Sequence, residues 1–383
     1  MNTLKDASGG TIFLFSSNAR KRYLDDCVQL LALPRGMVMH FRYRKEHIAQ
    51  NVLELTSQKR IIGASTVLCF VDQDNTTSPA QWRQIRPLRF GSIVDAQQNG
   101  AEIHFYFAVS GYPQSLESVE KIREASKHVS KRGTGRFYAA LGDTLGNELV
   151  SSEKADSDAF ALIVDQFQKG EFVAHQSDPL FIRVEGLFSR SGSKLKRMEP
   201  TELAGVSNRR RGFLVKHGDP LELRAQFHQP NWSDADKKGL TLGLSVDGSR
   251  FSVPGDDPLE ITSPYDEAEF YMLPVRDNKG WLSQIGLKVG SSTAAVHNDN
   301  AFTALVFAKP RVPTLFSRLV SSLAPTVSIF VAWLSIVSAF FTHETSKPAA
   351  NTANWFSAFP AFIWVAWVIL IAIVALDALI KDG

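Results

Sequence analysis

Between Met37 and Arg44 the chain alternates: Met37, Met39, Phe41 and Tyr43 fall on one side, Val38, His40, Arg42 and Arg44 on the other. A period of two predicts a strand with one buried face. Upstream, Ala19–Leu33 places Tyr23, Cys27, Leu30 and Leu31 on one helical stripe, and Pro34-Arg35-Gly36 ends it. Apolar runs predict strands over Thr11–Ser16, Ser65–Val71, Leu88–Ala96 and Glu102–Val109, the last two joined through Asn99-Gly100, a tight hairpin signal. Helices are expected over Glu46–Leu55 and Glu117–Val129, and Ser130–Arg136 reads as a basic, glycine-containing loop. Residues 1–150 are therefore expected to form an α+β domain.

Residues 151–178 contain one helical pattern, Asp156–Gln168, with Phe160, Ile163, Val164 and Phe167 on its apolar side. From there the period changes. Leu180–Phe188, Leu221–Phe227, Leu240–Val246, Arg250–Val253, Glu269–Val275, Ser283–Val289 and Phe302–Phe307 are short runs punctuated by Gly, Asp and Pro, which predicts a β-sandwich over 179–310. Ser189–Lys196 and Asn208–Gly212 read as polar, basic loops.

The pattern changes again near the C-terminus. Leu319–Phe341 and Trp355–Leu376 carry no charged side chain over 23 and 22 residues, and a bilayer core needs about 20. A two-helix transmembrane hairpin is expected within 311–383. Lys309, Arg311, Arg318 and Lys381 flank the spans, while their connection has Lys347 offset by Glu344. The positive-inside rule then predicts a multi-pass inner-membrane protein with both termini cytoplasmic. No long apolar leader follows Met1, in keeping with a cytoplasmic body. Ser321, Ser328 and Ser335 recur every seven residues, with Ser338 among the alternate positions, forming a small, polar stripe suited to helix packing and to self-association.

Charge is unevenly spread. Residues 1–150 hold 19 Lys/Arg against 14 Asp/Glu, and 151–308 hold 18 against 22. The surplus in the first part suits an anionic ligand but is too small for a dedicated nucleic-acid domain. Cys27 and Cys69 lie in apolar stretches without metal spacing, so both are expected as buried free thiols. There is no GxSxG, HExxH or glycine-rich dinucleotide fingerprint, and neither cofactor nor metal is expected.

The candidate ligand site is the polar face of the alternating strand, His40, Arg42 and Arg44, with Arg86 and Arg89 a few strands on. Guanidinium groups bind phosphate or carboxylate bidentately. Lys131-Arg132-Gly133-Thr134-Gly135-Arg136 is a second place where backbone N–H groups could cradle an anion. Val67–Val71 leads into Asp72-Gln73-Asp74-Asn75-Thr76, which resembles the DxDxT motif of haloacid-dehalogenase-type phosphatases. That resemblance implies Asp72 as nucleophile, Asp74 as acid/base, and a magnesium ion.

The layout of soluble domains followed by two spans looks like the two-helix membrane effectors of bacterial antiviral defence systems. The resemblance implies a sensor that responds to an anionic small molecule, nucleotide or protein trigger, assembles into a homo-oligomer in the lipid bilayer, and permeabilises or depolarises the membrane in defence or stress. The alternatives are a membrane-tethered, magnesium-dependent phosphatase using Asp72 and Asp74, and a passive membrane scaffold for a protein partner.

Overall fold

The computed structural model describes residues 9–74, 76, 81–132, 135–169, 180–191, 194–203, 210–230, 240–255, 258–277, 279–291 and 298–309. The first elements mix strands and helices: β1 (Thr11–Ser17), α1 (Lys21–Ala32), β2 (Val38–Arg44), α2 (Gln50–Ser57), β3 (Ser65–Asp74), β4 (Gln81–Asn99), β5 (Glu102–Val109) and α3 (Leu116–Val129). The two-residue strands β6 (Lys131–Arg132) and β7 (Gly135–Arg136) pair with each other, and β8 (Ala139–Gly142) and α4 (Asp156–Gln168) follow. One sheet runs in the order β2-β5-β4-β3-β1-β8, with β1 and β3 parallel and the remaining pairs antiparallel.

Both faces of this sheet are covered at its centre, which explains the continuous apolar run of β3. Leu68 and Phe70 join the core shared with α1 and α4, while Val67, Cys69 and Val71 pack with Phe13, Phe15 and Ile122 of α3. Ser115 caps α3, its hydroxyl accepting from the Ser118 amide at 3.1 Å. On α1 the buried stripe is Leu24, Cys27, Leu30 and Leu31, and the expected Tyr23 stays on the surface. The last carbonyls of α1 have a dedicated partner. The Arg89 guanidinium donates to Leu30 and Leu31 at 3.2 Å and to Leu33 at 2.7 Å, so a buried cation meets the negative end of the helix.

The remaining elements are strands: β9 (Phe181–Ser191), β10 (Lys194–Met198), β11 (Thr201–Glu202), β12 (Arg211–Lys216), β13 (Leu221–His228), β14 (Leu240–Val246), β15 (Phe251–Ser252), β16 (Leu259–Glu260), β17 (Tyr265–Pro274), β18 (Trp281–Ser291) and β19 (Asn298–Lys309). They form a five-stranded sheet, β10-β9-β13-β17-β15, and a six-stranded one, β11-β12-β19-β18-β14-β16. The loop expected over Ser189–Lys196 is the β9–β10 hairpin, and the basic stretch ending at Gly212 enters β12, which pairs parallel to β19. Basic side chains hid these strands because one face of each points outward.

The described residues all belong to one compact unit, and residues 311–383 lie outside the described residues. Within this unit, α1 packs on β1 and β4 and also on β9 and β19. On α4, Phe167 stacks edge-on against both Phe70 of β3 and Phe181 of β9, at 4.9 and 5.9 Å between centroids. The apolar core is therefore continuous across the position where a domain boundary was expected.

The expected fold class, an α+β domain, a β-sandwich and a transmembrane helical hairpin, is corrected. The described residues are mostly β, 52% in strands against 22% in helix, with four α-helices. Among them no helix is long and apolar enough to cross a membrane. The longest, α3, has 14 residues, about 21 Å at 1.5 Å per residue, against a hydrocarbon core of about 30 Å. The expected hairpin and multi-pass inner-membrane location are corrected to that statement: no described helix could form a span. The stretches 319–341 and 355–376 lie outside the described residues.

Candidate anion-binding site

The parallel strands β1 and β3 end side by side, and the polar residues that follow them lock together. Asn18, just past β1, donates from Nδ2 to Asp72 Oδ1 at 3.2 Å and accepts from the Gln73 amide at 2.9 Å. Asp72 is thereby fixed where the apolar run Val67–Val71 of β3 gives out, and it is 6% exposed.

On the other side of β3 lies the first half of β4. β5 pairs β4 only from Gly91 to Asn99, so the stretch carrying Arg83, Gln84, Ile85 and Arg86 borders a cleft. The cleft has a volume of about 430 Å³ and is lined by those four residues with Asp72, Arg123 and Lys127 of α3, and Lys169 at the end of α4. Arg123 and Lys127 lie one turn apart, which puts both on the same side of α3. Five cationic side chains and a single carboxylate thus meet in one small volume.

Arg86 is the centre of this arrangement. It is 4% exposed, and its Nη2 donates to Gln84 Oε1 at 2.5 Å. Its Nη1 lies 3.8 Å from Asp72 Oδ2, beyond hydrogen-bond reach. Among the described residues, neither Nε nor Nη1 of Arg86 has a hydrogen-bond partner, and the same is true of Arg123 Nε. Burial pulls the Arg86 pKa below the ordinary guanidinium value. The Asp72 carboxylate works against that shift, and the Arg123 charge adds to it. Two guanidinium groups that repel each other across a cleft, with unused donors, have the chemistry of an oxyanion site.

The rim is more fully paired. Arg83 Nη2 binds Asp74 Oδ2 at 2.8 Å, Lys127 binds Glu124 at 2.7 Å, and Arg123 binds Glu120. Asp74 also accepts from the Thr76 hydroxyl at 2.5 Å and amide at 2.9 Å, and these bonds, with Arg83, hold its carboxyl down to about 2.

Of the five residues expected to form one site, only Arg86 lines the cleft. Arg89 is 1% exposed and committed to the end of α1, to the Ser110 carbonyl and to the Tyr112 hydroxyl. His40, Arg42 and Arg44 stand on the outer face of β2, at the far edge of the sheet. There His40 stacks on Tyr106 with centroids 4.9 Å apart, and its Nε2 meets His104 Nδ1 at 2.9 Å. Arg42 pairs with Glu102 at 3.5 Å and Arg44 with Glu46 at 3.8 Å, both on the surface. In the basic stretch after α3, Arg136 lies 5.7 Å from the Trp82 ring centre; residues 133 and 134 lie outside the described residues. Ser321, Ser328, Ser335 and Ser338 do so as well.

Arg123, Lys127 and Lys169 were not singled out from sequence. Their spacing to acidic neighbours on helices is that of ordinary surface pairs, and nothing linear connects them with Arg86. The magnesium ion implied by the DxDxT resemblance does not fit the residues present. Asp72 faces a guanidinium, Asp74 is taken up by Thr76 and Arg83, and among the described residues no three His, Cys, Asp or Glu side chains gather to hold a metal. No protein-family model matches the chain, and no curated protein matches it.

Proposed function

We propose that this chain is a ligand-recognition protein that binds an anionic group in the cleft beside β4, and that it acts by binding and not by turnover. The observation that carries this reading is the buried Arg86 guanidinium, whose Nε and Nη1 have no hydrogen-bond partner among the described residues while they border a cleft. A buried charge with unused donors costs several kcal/mol, and an oxyanion placed between Arg86 and Arg123 would recover part of it. Fixed guanidinium donors are also pre-organised, which limits the ordering cost of binding. Asp72 does not stand as a free nucleophile in this setting, since Asn18 and Arg86 flank its two oxygens.

Binding is tested by calorimetry and thermal unfolding of the full chain with inorganic phosphate, sulfate and citrate as probes. The expected result is saturable binding of at least one anion, accompanied by a rise in Tm. In Arg86→Gln the binding should weaken at least tenfold. Absence of binding by all three anions, or an Arg86→Gln chain that binds as tightly as the parent, would overturn the assignment.

A further inference from the structure

The cleft holds one feature that a general anion site does not need, a carboxylate. Asp72 is held by Asn18 through Oδ1, and its Oδ2 lies 3.8 Å from Arg86 Nη1, outside hydrogen-bond reach. The side chain is only 9% exposed, and it lines the same cleft as the unused donors of Arg86 and Arg123. An ionised carboxylate only accepts hydrogen bonds. An oxyanion seated against Arg86 therefore meets Asp72 Oδ2 at close range. If every oxygen of that anion is deprotonated, two negative oxygens face each other without a hydrogen between them, which disfavours binding strongly. If one oxygen bears a proton, that O–H donates to Asp72, and attraction replaces repulsion.

We propose that Asp72 makes this cleft selective for oxyanions that carry a proton, namely hydrogen phosphate or a phosphate monoester, and rejects sulfate. The inference rests on the anion-binding reading above and names its ligand class. Sulfate has the same size and tetrahedral shape as phosphate but carries no proton near neutral pH. A phosphate monoester, with a second pKa of about 6, keeps a proton on part of its population. Cationic donors alone would favour the fully charged ligand, so only the carboxylate can turn the preference round.

The charged groups that face Asp72 are all cationic. Arg83 and Arg86 face it from β4, Arg123 and Lys127 from α3, and Lys169 from the end of α4. None of them is a histidine. Inorganic phosphate keeps at least one proton from pH 6 to 8.5 and sulfate has none, so the preference for phosphate should persist across this range.

The experiment is calorimetric titration of the full chain with inorganic phosphate and with sodium sulfate at constant ionic strength, at pH 6.0, 7.0 and 8.5. Phosphate is expected to bind at least tenfold more tightly than sulfate at all three pH values, because the hydrogen phosphate dianion still carries the proton that sulfate lacks. In Asp72→Asn the amide can donate, so sulfate should bind within about threefold of phosphate at each pH. The wild-type comparison needs no variant, so it stands even if Asp72→Asn folds poorly. Equal binding of phosphate and sulfate by the wild-type chain would overturn the selectivity and leave the anion site standing. Binding of neither anion would overturn both.

Discussion

Arg35 grips Asp156 through two nearly parallel hydrogen bonds, Nε to Oδ2 at 2.6 Å and Nη2 to Oδ1 at 2.7 Å, across 121 positions of sequence. Asp156 opens α4 and is 4% exposed, and its Oδ1 also accepts from the Ser151 hydroxyl at 2.5 Å. The carboxylate therefore serves three purposes: it neutralises Arg35, orients the Ser151 segment, and sits at the positive end of a helix. Arg35 follows α1, so the pair ties the helices on one side of the first sheet. Asp156→Ala should lower unfolding free energy by about 3 kcal/mol, because it leaves a half-buried guanidinium without its partner. Urea unfolding followed by circular dichroism measures this, and a change below about 1 kcal/mol would show the pair to be ornamental.

Arg89 is the second polar group whose removal should be felt throughout the fold. Its Nη1 lies within hydrogen-bond reach of the carbonyls of Leu30, Leu31 and Leu33 and of the Tyr112 hydroxyl, and the Arg89 Cζ sits 4.0 Å from the Tyr112 ring centre. Arg89→Met should cost about 3–5 kcal/mol, since buried carbonyls lose their donor. Arg89→Lys should recover only part of that loss, because an ammonium lacks the planar fork. The two variants compared by urea midpoint separate charge from geometry. Equal midpoints for the two variants would mean that charge without the planar fork contributes nothing, and an Arg89→Lys midpoint equal to the parent's would mean that charge alone suffices.

Gly91 of β4 pairs with Val109 of β5 and has no room for a side chain. A Cβ there would run into the Ala108 carbonyl oxygen and lie 2.7 Å from the Phe107 ring. Backbone cannot yield as a side chain can, so Gly91→Ala is expected to destabilise by about 1–3 kcal/mol. A Tm unchanged within a degree would contradict the close approach.

Both cysteines should be silent in the native chain. Cys27 is fully buried, and burial pushes its thiol up to about 12, the Ser16 hydroxyl offsetting a little of that shift. Burial raises the Cys69 thiol as well. A folded pKa above the unfolded one means that the native state holds the proton more tightly. The corresponding stability is complete below the unfolded value of 9.0 and declines as pH rises toward about 12. Thiol labelling at pH 8 should therefore run at the rate of unfolding and accelerate with urea. Rapid labelling of either cysteine without denaturant would contradict this burial.

The outer face of β2 should be dispensable for binding. Arg42 and Arg44 are exposed and paired with Glu102 and Glu46 at the surface. Replacing both by Ala should change stability by less than about 1 kcal/mol, and phosphate affinity should stay within twofold. A large loss of binding would relocate the site from the β4 cleft to the β2 face.

Local pattern by itself determined much of the secondary structure. The alternation from Met37 to Arg44 becomes β2, the apolar run before Asp72 becomes the doubly covered β3, and the stripe over 117–129 becomes α3. These elements were legible because burial on one or two faces imposes a period that the chain itself displays. The basic strands β10 and β12 showed no such period, and only their partners β9 and β19 explain them. The site lies further from sequence. Arg86 and Arg89 are three residues apart, an odd spacing that puts strand side chains on opposite faces. Yet the β3–β4 pairing slips by one residue between Leu68 and Cys69, so that Arg89 lies opposite Leu68 and Arg86 opposite Phe70, two residues of the same core. What then separates the two arginines is the company each meets: the end of α1 satisfies Arg89, whereas Arg86 faces Asp72, α3 and the open cleft. That outcome depends on a bulge and on helices far away in sequence, and contacts of this kind exist only once the sheet has closed around them.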